Sequence, residues 1–140
     1  MSVSESNIDH RHQKRIQLMQ NLFAATFNRS QEYGRVEISR LQDLLPADET
    51  LQATIAEILE ELTAIDQQLK QYAPERPLSE INLIDLAILR LIVWESLNKN
   101  TPKKVLIDEA VEMAKEFGTE SSPRFVNGVL GKLFTMDKTS

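Results

Sequence analysis

The sequence LIDLAILRLIVWESL, residues 83–97, decides the fold class of this chain. Its apolar residues occupy almost every side of a helix, and a helix with that pattern is buried on most of its surface. Asp85 and Arg90 interrupt the run, and it is too short to cross a bilayer. We therefore predict that residues 83–97 form the central helix of a helical bundle.

Two further helices are predicted after this central one. Residues 102–117 carry an apolar face opposite a charged face, and Gly118 stands where a helix C-cap glycine is common. Ser122 and Pro123 then read as the N-cap and first-turn proline of a last helix. We expect its tail after Phe134 to fray. The predicted buried positions are Ile107, Ala110, Ala114 and Phe117 in the first of these helices and Val126, Val129, Leu130 and Leu133 in the second, and the charged face is Asp108, Glu112 and Lys115.

The N-terminal half is also predicted to be helical. After a disordered start over residues 1–7, we expect one helix over about 9–28, a short one over 36–45, and a third over 51–72. The third has apolar residues at alternating spacings of four and three, which suit either a buried bundle helix or a self-dimerising coiled coil. Three heptads are marginal for the latter, so core packing is favoured. The apolar positions are Ile16, Met19, Phe23 and Phe27 in the first helix and Leu51, Ile55, Ile58, Leu62, Ile65, Leu69 and Tyr72 in the third.

No segment alternates apolar and polar residues, so the predicted fold is all-α, a two-subdomain bundle of about seven helices. Its 140 residues suit a single domain. We place the subdomains at about 9–73 and 78–135 and expect Pro74–Pro77 to form a hinge between them.

Composition narrows the function. The chain has no cysteine, which excludes disulfides and thiolate metal sites and fits a reducing compartment, and no apolar leader or membrane span is visible. We therefore expect a soluble, cytoplasmic protein. Its net charge of −5 argues against nucleic-acid binding by global electrostatics, so that any such role needs a local basic patch or a basic partner.

The sequence shows no arrangement for catalysis or for a cofactor. His10 and His12 have no nearby nucleophile, and their surroundings supply no further metal ligands. There is no glycine-rich phosphate loop. The acidic pairs Asp108/Glu112 and Glu57/Glu61 are interpreted as solvated helix faces. We predict a protein that is not an enzyme and that holds neither a metal nor a cofactor.

Two groups of residues suit RNA binding. Arg11, Lys14 and Arg15 fall at helical spacings of three and four, and cations near a helix start are locally unfavourable, which favours a phosphate ligand over a merely solvated helix start. Arg124 precedes Phe125, which lies at the margin of an apolar stripe and suits stacking on an unpaired base. Gly128 and Gly131 imply a close approach, either by another helix or by a ligand.

Three blocks of sequence resemble the NusB family of bacterial transcription antitermination factors. They are ID-x-AILRL-x-V-x-E at 84–95, V-x-I-D-EAVE-x-AK-x-FG at 105–118 and FVNGVL at 125–130. RHQKRIQLMQNLFA, residues 11–24, is similar to the family's arginine-rich first helix, and the segment between Thr26 and Leu51 matches poorly. His12 and Gln13 stand where more arginine is usual, Trp94 replaces a tyrosine, and Gly131 replaces an acid.

The resemblance implies a function in recognition. NusB-like proteins pair with the ribosomal protein NusE, bind single-stranded boxA RNA of ribosomal RNA transcripts, and act with NusA and NusG on the transcribing polymerase. It implies RNA contacts by Arg11, Lys14, Arg15, Arg124 and Phe125, and NusE contacts by Phe23, Asp85 and Arg90. One alternative is a NusB-like scaffold that binds proteins without binding RNA itself. Another is the NusB-like module of RNA cytosine methyltransferases, for which this chain has no room.

Overall fold

The structure, a computed structural model, describes residues 3–31, 48–72 and 77–139. Within these ranges it has six α-helices, one 3-10 helix and no β-strand, so the all-α prediction is confirmed. The predicted helix at 36–45 lies outside the described residues. The helices are α1 (Val3–Gln31), α2 (Glu49–Glu60), α3 (Leu62–Tyr72), α4 (Leu83–Asn98), α5 (Lys103–Phe117) and α6 (Ser122–Thr139), with the 3-10 helix at Leu78–Glu80.

The chain divides into two compact units, Met1–Ala56 and Glu57–Ser140, and the division falls inside α2. In the second unit, α4 contacts α3, α5 and α6, and α6 also contacts α3. The predicted division at Pro74–Pro77 stays a prediction, because residues 73–76 lie outside the described ranges.

The central helix of the second unit is α4, as predicted. Asn82 caps it, and its side chain accepts hydrogen bonds from the backbone N–H of Ile84 at 2.9 Å and of Asp85 at 3.3 Å. Buried residues follow one another around the whole helix rather than along one stripe. They are Asp85, Leu86, Ala87, Ile88, Leu89, Leu91, Ile92, Val93, Trp94 and Glu95.

The segment predicted as a single helix over 51–72 is two helices, α2 and α3, that meet at Glu61. The Glu61 side chain accepts hydrogen bonds from Trp94 Nε1 at 3.0 Å and Asn98 Nδ2 at 3.3 Å on α4. Glu61 is therefore tied to α4, and its interpretation as part of a solvated face is wrong. The periodic apolar residues are buried within the single chain, which confirms core packing rather than a coiled-coil dimer. They are Leu51, Ile55, Ile58, Leu62, Ile65 and Leu69.

Helix α1 differs from its prediction in both start and face. It begins at Val3, because no glycine or proline in the polar segment before Asp9 interrupts it. Leu22 and Met19 are fully buried, whereas Phe23 is half-buried and Phe27 is 38% exposed. The predicted core stripe through Phe23 and Phe27 is therefore wrong at those two positions, because Leu18, Leu22 and Ala25 fill the buried face instead.

The buried face of α5 is rotated from its predicted position. Ala110 and Ala114 are buried as expected, but Leu106 and Met113 are the large buried residues, whereas Ile107 and Phe117 are only half-buried. On α6 the predicted stripe of Val126, Val129, Leu130 and Leu133 is buried. The helix continues to Thr139 instead of ending after Phe134.

Gly118 joins α5 to α6 through a close approach. Its φ of −91° lies outside the left-handed region, so the usual reason for a C-cap glycine is absent. A Cβ at this position would lie 2.6 Å from Ser122 Cβ and 2.9 Å from the Ala114 carbonyl oxygen. Ser122 is held there because its Oγ accepts a hydrogen bond from Thr119 N at 2.8 Å. Ser122 is therefore the buried first residue of α6 and not its N-cap.

Gly118→Ala is expected to lower the free energy of unfolding by about 1–3 kcal/mol, because the added methyl group overlaps Ser122 and the backbone of Ala114. Gly128→Ala is the matched control. A Cβ at Gly128 meets nothing within 4 Å inside α6, so this change should raise stability by up to about 1 kcal/mol. Thermal or urea denaturation measures both, and equal stabilities for the two variants would contradict the close approach at Gly118.

Candidate functional site

The predicted cationic residues of α1 share one side of a continuous helix. Arg11 and Lys14 are exposed, and Arg15 is half-buried. Because α1 begins at Val3, these residues lie two to three turns inside the helix. The helix dipole acts mainly within the first turn, so the argument that it disfavours cations here is wrong. Their shared helical face is what supports phosphate binding.

The second predicted RNA group lies at the start of α6. Arg124 is exposed and Phe125 is half-buried, which agrees with the expected accessibility of both side chains. Asn127 is exposed one turn further along the same helix. Arg11, Lys14 and Arg15 belong to the first compact unit and these residues to the second, so their joint use by one RNA strand stays a prediction.

The two glycines of α6 face open space. A Cβ at Gly128 or Gly131 would meet no atom within 4 Å apart from its own helix and chain neighbours. The explanation that another helix packs closely against them is therefore wrong for both. They leave one side of α6 without bulky side chains and open to a ligand.

The residues predicted to bind the protein partner are placed differently from one another. Phe23 is half-buried, and its ring centroid lies 5.8 Å from that of Phe27, one helical turn away. Sequence reasoning missed Phe27, because its spacing from Phe23 is that of a buried stripe. An aromatic ring that stays 38% exposed beside a second ring is typical of a surface that a partner covers.

Asp85 and Arg90 are both engaged inside the molecule. Asp85 is only 3% exposed in the first turn of α4. Arg90 forms a bidentate ion pair with Asp66 of α3, in which Nε and Nη2 donate to Oδ1 and Oδ2 at 2.9 and 2.8 Å. Partner contacts by these two residues stay a prediction, and each residue also serves the packing around α4.

Sequence reasoning also missed Lys103 and Lys104, two consecutive cations at the start of α5. Lys104 is exposed, and Lys103 Nζ lies 5.4 Å from the ring centroid of Phe134 on α6. The doubled lysine directly after Pro102 is the signal that was available in the sequence. Among the described residues, no group of three or more acidic, histidine or cysteine side chains is placed to hold a metal. The same part of the chain has no helix long and apolar enough to span a membrane.

Comparison with known proteins identifies relatives over most of the chain. The model of the NusB family matches residues 12–134. Transcription antitermination protein NusB of Campylobacter curvus is 48% identical over 69 residues, covering 49% of this chain and 53% of that protein. The chain therefore spans about half the length of that relative. The protein of the same name from Chloroflexus aggregans is 37% identical over 128 residues, covering 72% of this chain and 85% of the relative.

A solved structure shares the fold. NusB of T. maritima superposes with a TM-score of 0.72 at 32% sequence identity. The match covers 88% of this chain and 89% of that protein, so the similarity extends over nearly the whole of both chains.

Proposed function

The chain belongs to the NusB family, and on this premise we propose that it is a cytoplasmic transcription antitermination factor that acts by binding and not by catalysis. The observation that carries the proposal is the family match over residues 12–134, together with relatives named transcription antitermination protein NusB. Its ligands in this proposal are single-stranded boxA RNA and the ribosomal protein NusE, and the pair then acts with NusA and NusG on the elongation complex.

The side chains available for RNA support this proposal. Arg11 and Lys14 present exposed cations on one helix face, which suits contacts to phosphate groups. Arg124 and the half-buried ring of Phe125 add a cation and a stacking surface for an unpaired base. The chain as a whole carries a net charge of −5, so its RNA affinity depends on these local groups.

A basic partner resolves the conflict between an acidic chain and an anionic ligand. Ribosomal proteins bind RNA, and a basic one would attract this acidic chain and supply cations for the same RNA strand. In the proposal, the ring pair of Phe23 and Phe27 forms the apolar part of the NusE interface. The RNA is then held by the pair more tightly than by either protein alone.

A gel-shift experiment with boxA RNA, run with the chain alone and with equimolar NusE, tests this function. We expect weak binding by the chain alone and binding at least about tenfold tighter by the pair, because the partner adds phosphate contacts. An RNA of scrambled sequence is the control, and it should bind more weakly than boxA at the same salt concentration.

The scaffold alternative gives a different result in the same experiment. The acidic net charge and the presence of only three cations on the α1 face favour it over independent RNA binding. A scaffold would form the complex with NusE on a sizing column but would leave the RNA affinity of NusE unchanged. That result would reject the RNA-binding part of the proposal and retain partner binding.

A further inference from the structure

A groove in the second compact unit is not explained by the residues discussed so far. It runs between the start of α5 and the second half of α6 and has a volume of about 220 Å³. The open side of Gly131 forms part of it, so a missing side chain creates part of the space. We call it the α5–α6 groove. Its lining residues are Lys103, Lys104, Ile107 and Asp108 from α5 and Gly131, Phe134 and Thr135 from α6.

The groove combines positive charge with an apolar floor. Lys103 and Lys104 stand at its α5 end, and Phe134, which is 3% exposed, lies beneath Lys103. The residue before α5 is Pro102, which offers no side-chain acceptor to the first backbone N–H groups of the helix. A cationic edge beside an aromatic and aliphatic floor is the arrangement with which proteins hold single-stranded nucleic acid.

Its size and its one carboxylate favour a nucleotide over an acidic peptide. A volume of about 220 Å³ is below the several hundred Å³ typical of ligand pockets, so it suits one flat base rather than a run of side chains. Asp108 in the lining would repel an acidic peptide. The same carboxylate accepts a hydrogen bond from the exocyclic amino group of cytosine or adenine, which uracil lacks.

The groove also continues the RNA surface proposed for the start of α6. Arg124 and Gly131 are seven residues apart on the same helix, which is two turns and about 10 Å along its axis. Between them, Asn127 and Gly128 are exposed and carry no bulky side chain. A strand that contacts Arg124 and Phe125 therefore reaches the groove along an unobstructed side of α6.

We propose that the α5–α6 groove binds one further nucleotide of the RNA strand, with an amino-bearing base over Gly131 and Phe134 and its phosphates on Lys103 and Lys104. The proposal rests on the RNA-binding function proposed above and adds to it a second contact region with a base preference. Lys103 and Lys104 position the strand through its phosphates, and Asp108 selects the base.

Gly131→Asp is the deciding variant, measured by fluorescence anisotropy with labelled oligocytidylate, oligoadenylate and oligouridylate and the chain in complex with NusE. The new side chain has open space and places a carboxylate next to both lysines. We expect binding of oligocytidylate and oligoadenylate to fall about tenfold, with a shallower salt dependence. Ala64→Asp, which adds the same charge at an exposed position of α3, is the matched control and should bind as the unaltered chain does.

A second variant, Asp108→Ala, tests the base preference. The unaltered chain should prefer oligocytidylate and oligoadenylate to oligouridylate by about fivefold, and the variant should lose this preference because it loses the acceptor. Asp108 is exposed, so its removal should leave the melting temperature unchanged. An unaltered preference in this variant would overturn the assignment of the base to Asp108.

The possible outcomes separate the groove from the function on which it rests. If the unaltered complex binds RNA and Gly131→Asp binds it no worse than Ala64→Asp, the groove proposal is overturned and the proposed function stands. If Gly131→Asp retains RNA but loses NusE, the groove is a protein-docking surface and its assignment to RNA is overturned. If the unaltered complex binds none of the RNAs, both proposals fall.

Discussion

Replacing Arg11, Lys14 and Arg15 together with alanine is expected to weaken boxA RNA binding about a hundredfold at roughly 0.1 M salt. Each phosphate contact on a single strand contributes about 0.7 to the slope of log affinity against log salt, so three contacts contribute about two. The variant should therefore bind almost like the unaltered chain at high salt and much worse at low salt. Fluorescence anisotropy across a salt series, with NusE present, measures this difference.

The structure makes this variant a clean one. Arg11 and Lys14 are exposed and Arg15 is half-buried, and alanine is the best helix former, so α1 should keep its stability. Removing Lys70, Lys99 and Lys115, which are also exposed, changes the net charge equally and is the matched control. An equal loss of affinity in both triple variants would show that only the total charge matters and that the α1 face is not a binding site.

Much of the fold was predictable because burial in this chain follows local sequence signals. Residues 83–97 are apolar on every side, and no arrangement other than a central helix buries them all. Asn82 could be identified as the cap because an asparagine directly before an apolar run supplies the acceptor that the first N–H groups need. The stripe of α6 was predictable for the same reason, since its four apolar residues share one face.

The features that could not be predicted depend on contacts between elements. The break at Glu61 reflects hydrogen bonds to Trp94 and Asn98, more than thirty residues away in sequence. The need for glycine at position 118 comes from Ser122, whose position depends on the turn itself. Helical spacing also cannot decide which of two overlapping apolar faces is buried, which is why Phe27 was assigned to the core.

The site shows the same division between local and tertiary information. The exposure of Arg11, Lys14 and Arg124 follows from the polar faces of their helices and agrees with the structure. Asp85 does not, because a carboxylate that is 3% exposed is buried by the helices around α4. Asp85→Lys would place an ammonium group in that interior and destabilise the protein. Loss of NusE capture by Asp85→Lys would therefore not identify an interface, and a variant at an exposed position is needed.

Phe27 offers such a position. Its ring is 38% exposed and lies 5.8 Å, at an interplanar angle of 33°, from that of Phe23, so the two rings present one aromatic surface. Aromatic residues at the centre of an interface often account for 2 kcal/mol or more of binding free energy. Truncating an exposed ring costs the folded monomer little in comparison, since most of its burial occurs only when the partner binds.

Phe27→Ala is accordingly expected to weaken capture of NusE about thirtyfold, and Phe23→Ala combined with Phe27→Ala at least about a hundredfold, as measured by calorimetry. Leu97→Ala is the control, because Leu97 is 50% exposed on α4 and its truncation removes a comparable apolar side chain from a surface that is not assigned to the partner. Circular dichroism should show unchanged helical content in Phe27→Ala. Because an interfacial ring loses its contacts on truncation whatever the salt concentration, the loss should persist in high salt, unlike the loss caused by removing the α1 cations. Capture as tight as that of Leu97→Ala would place the NusE interface elsewhere.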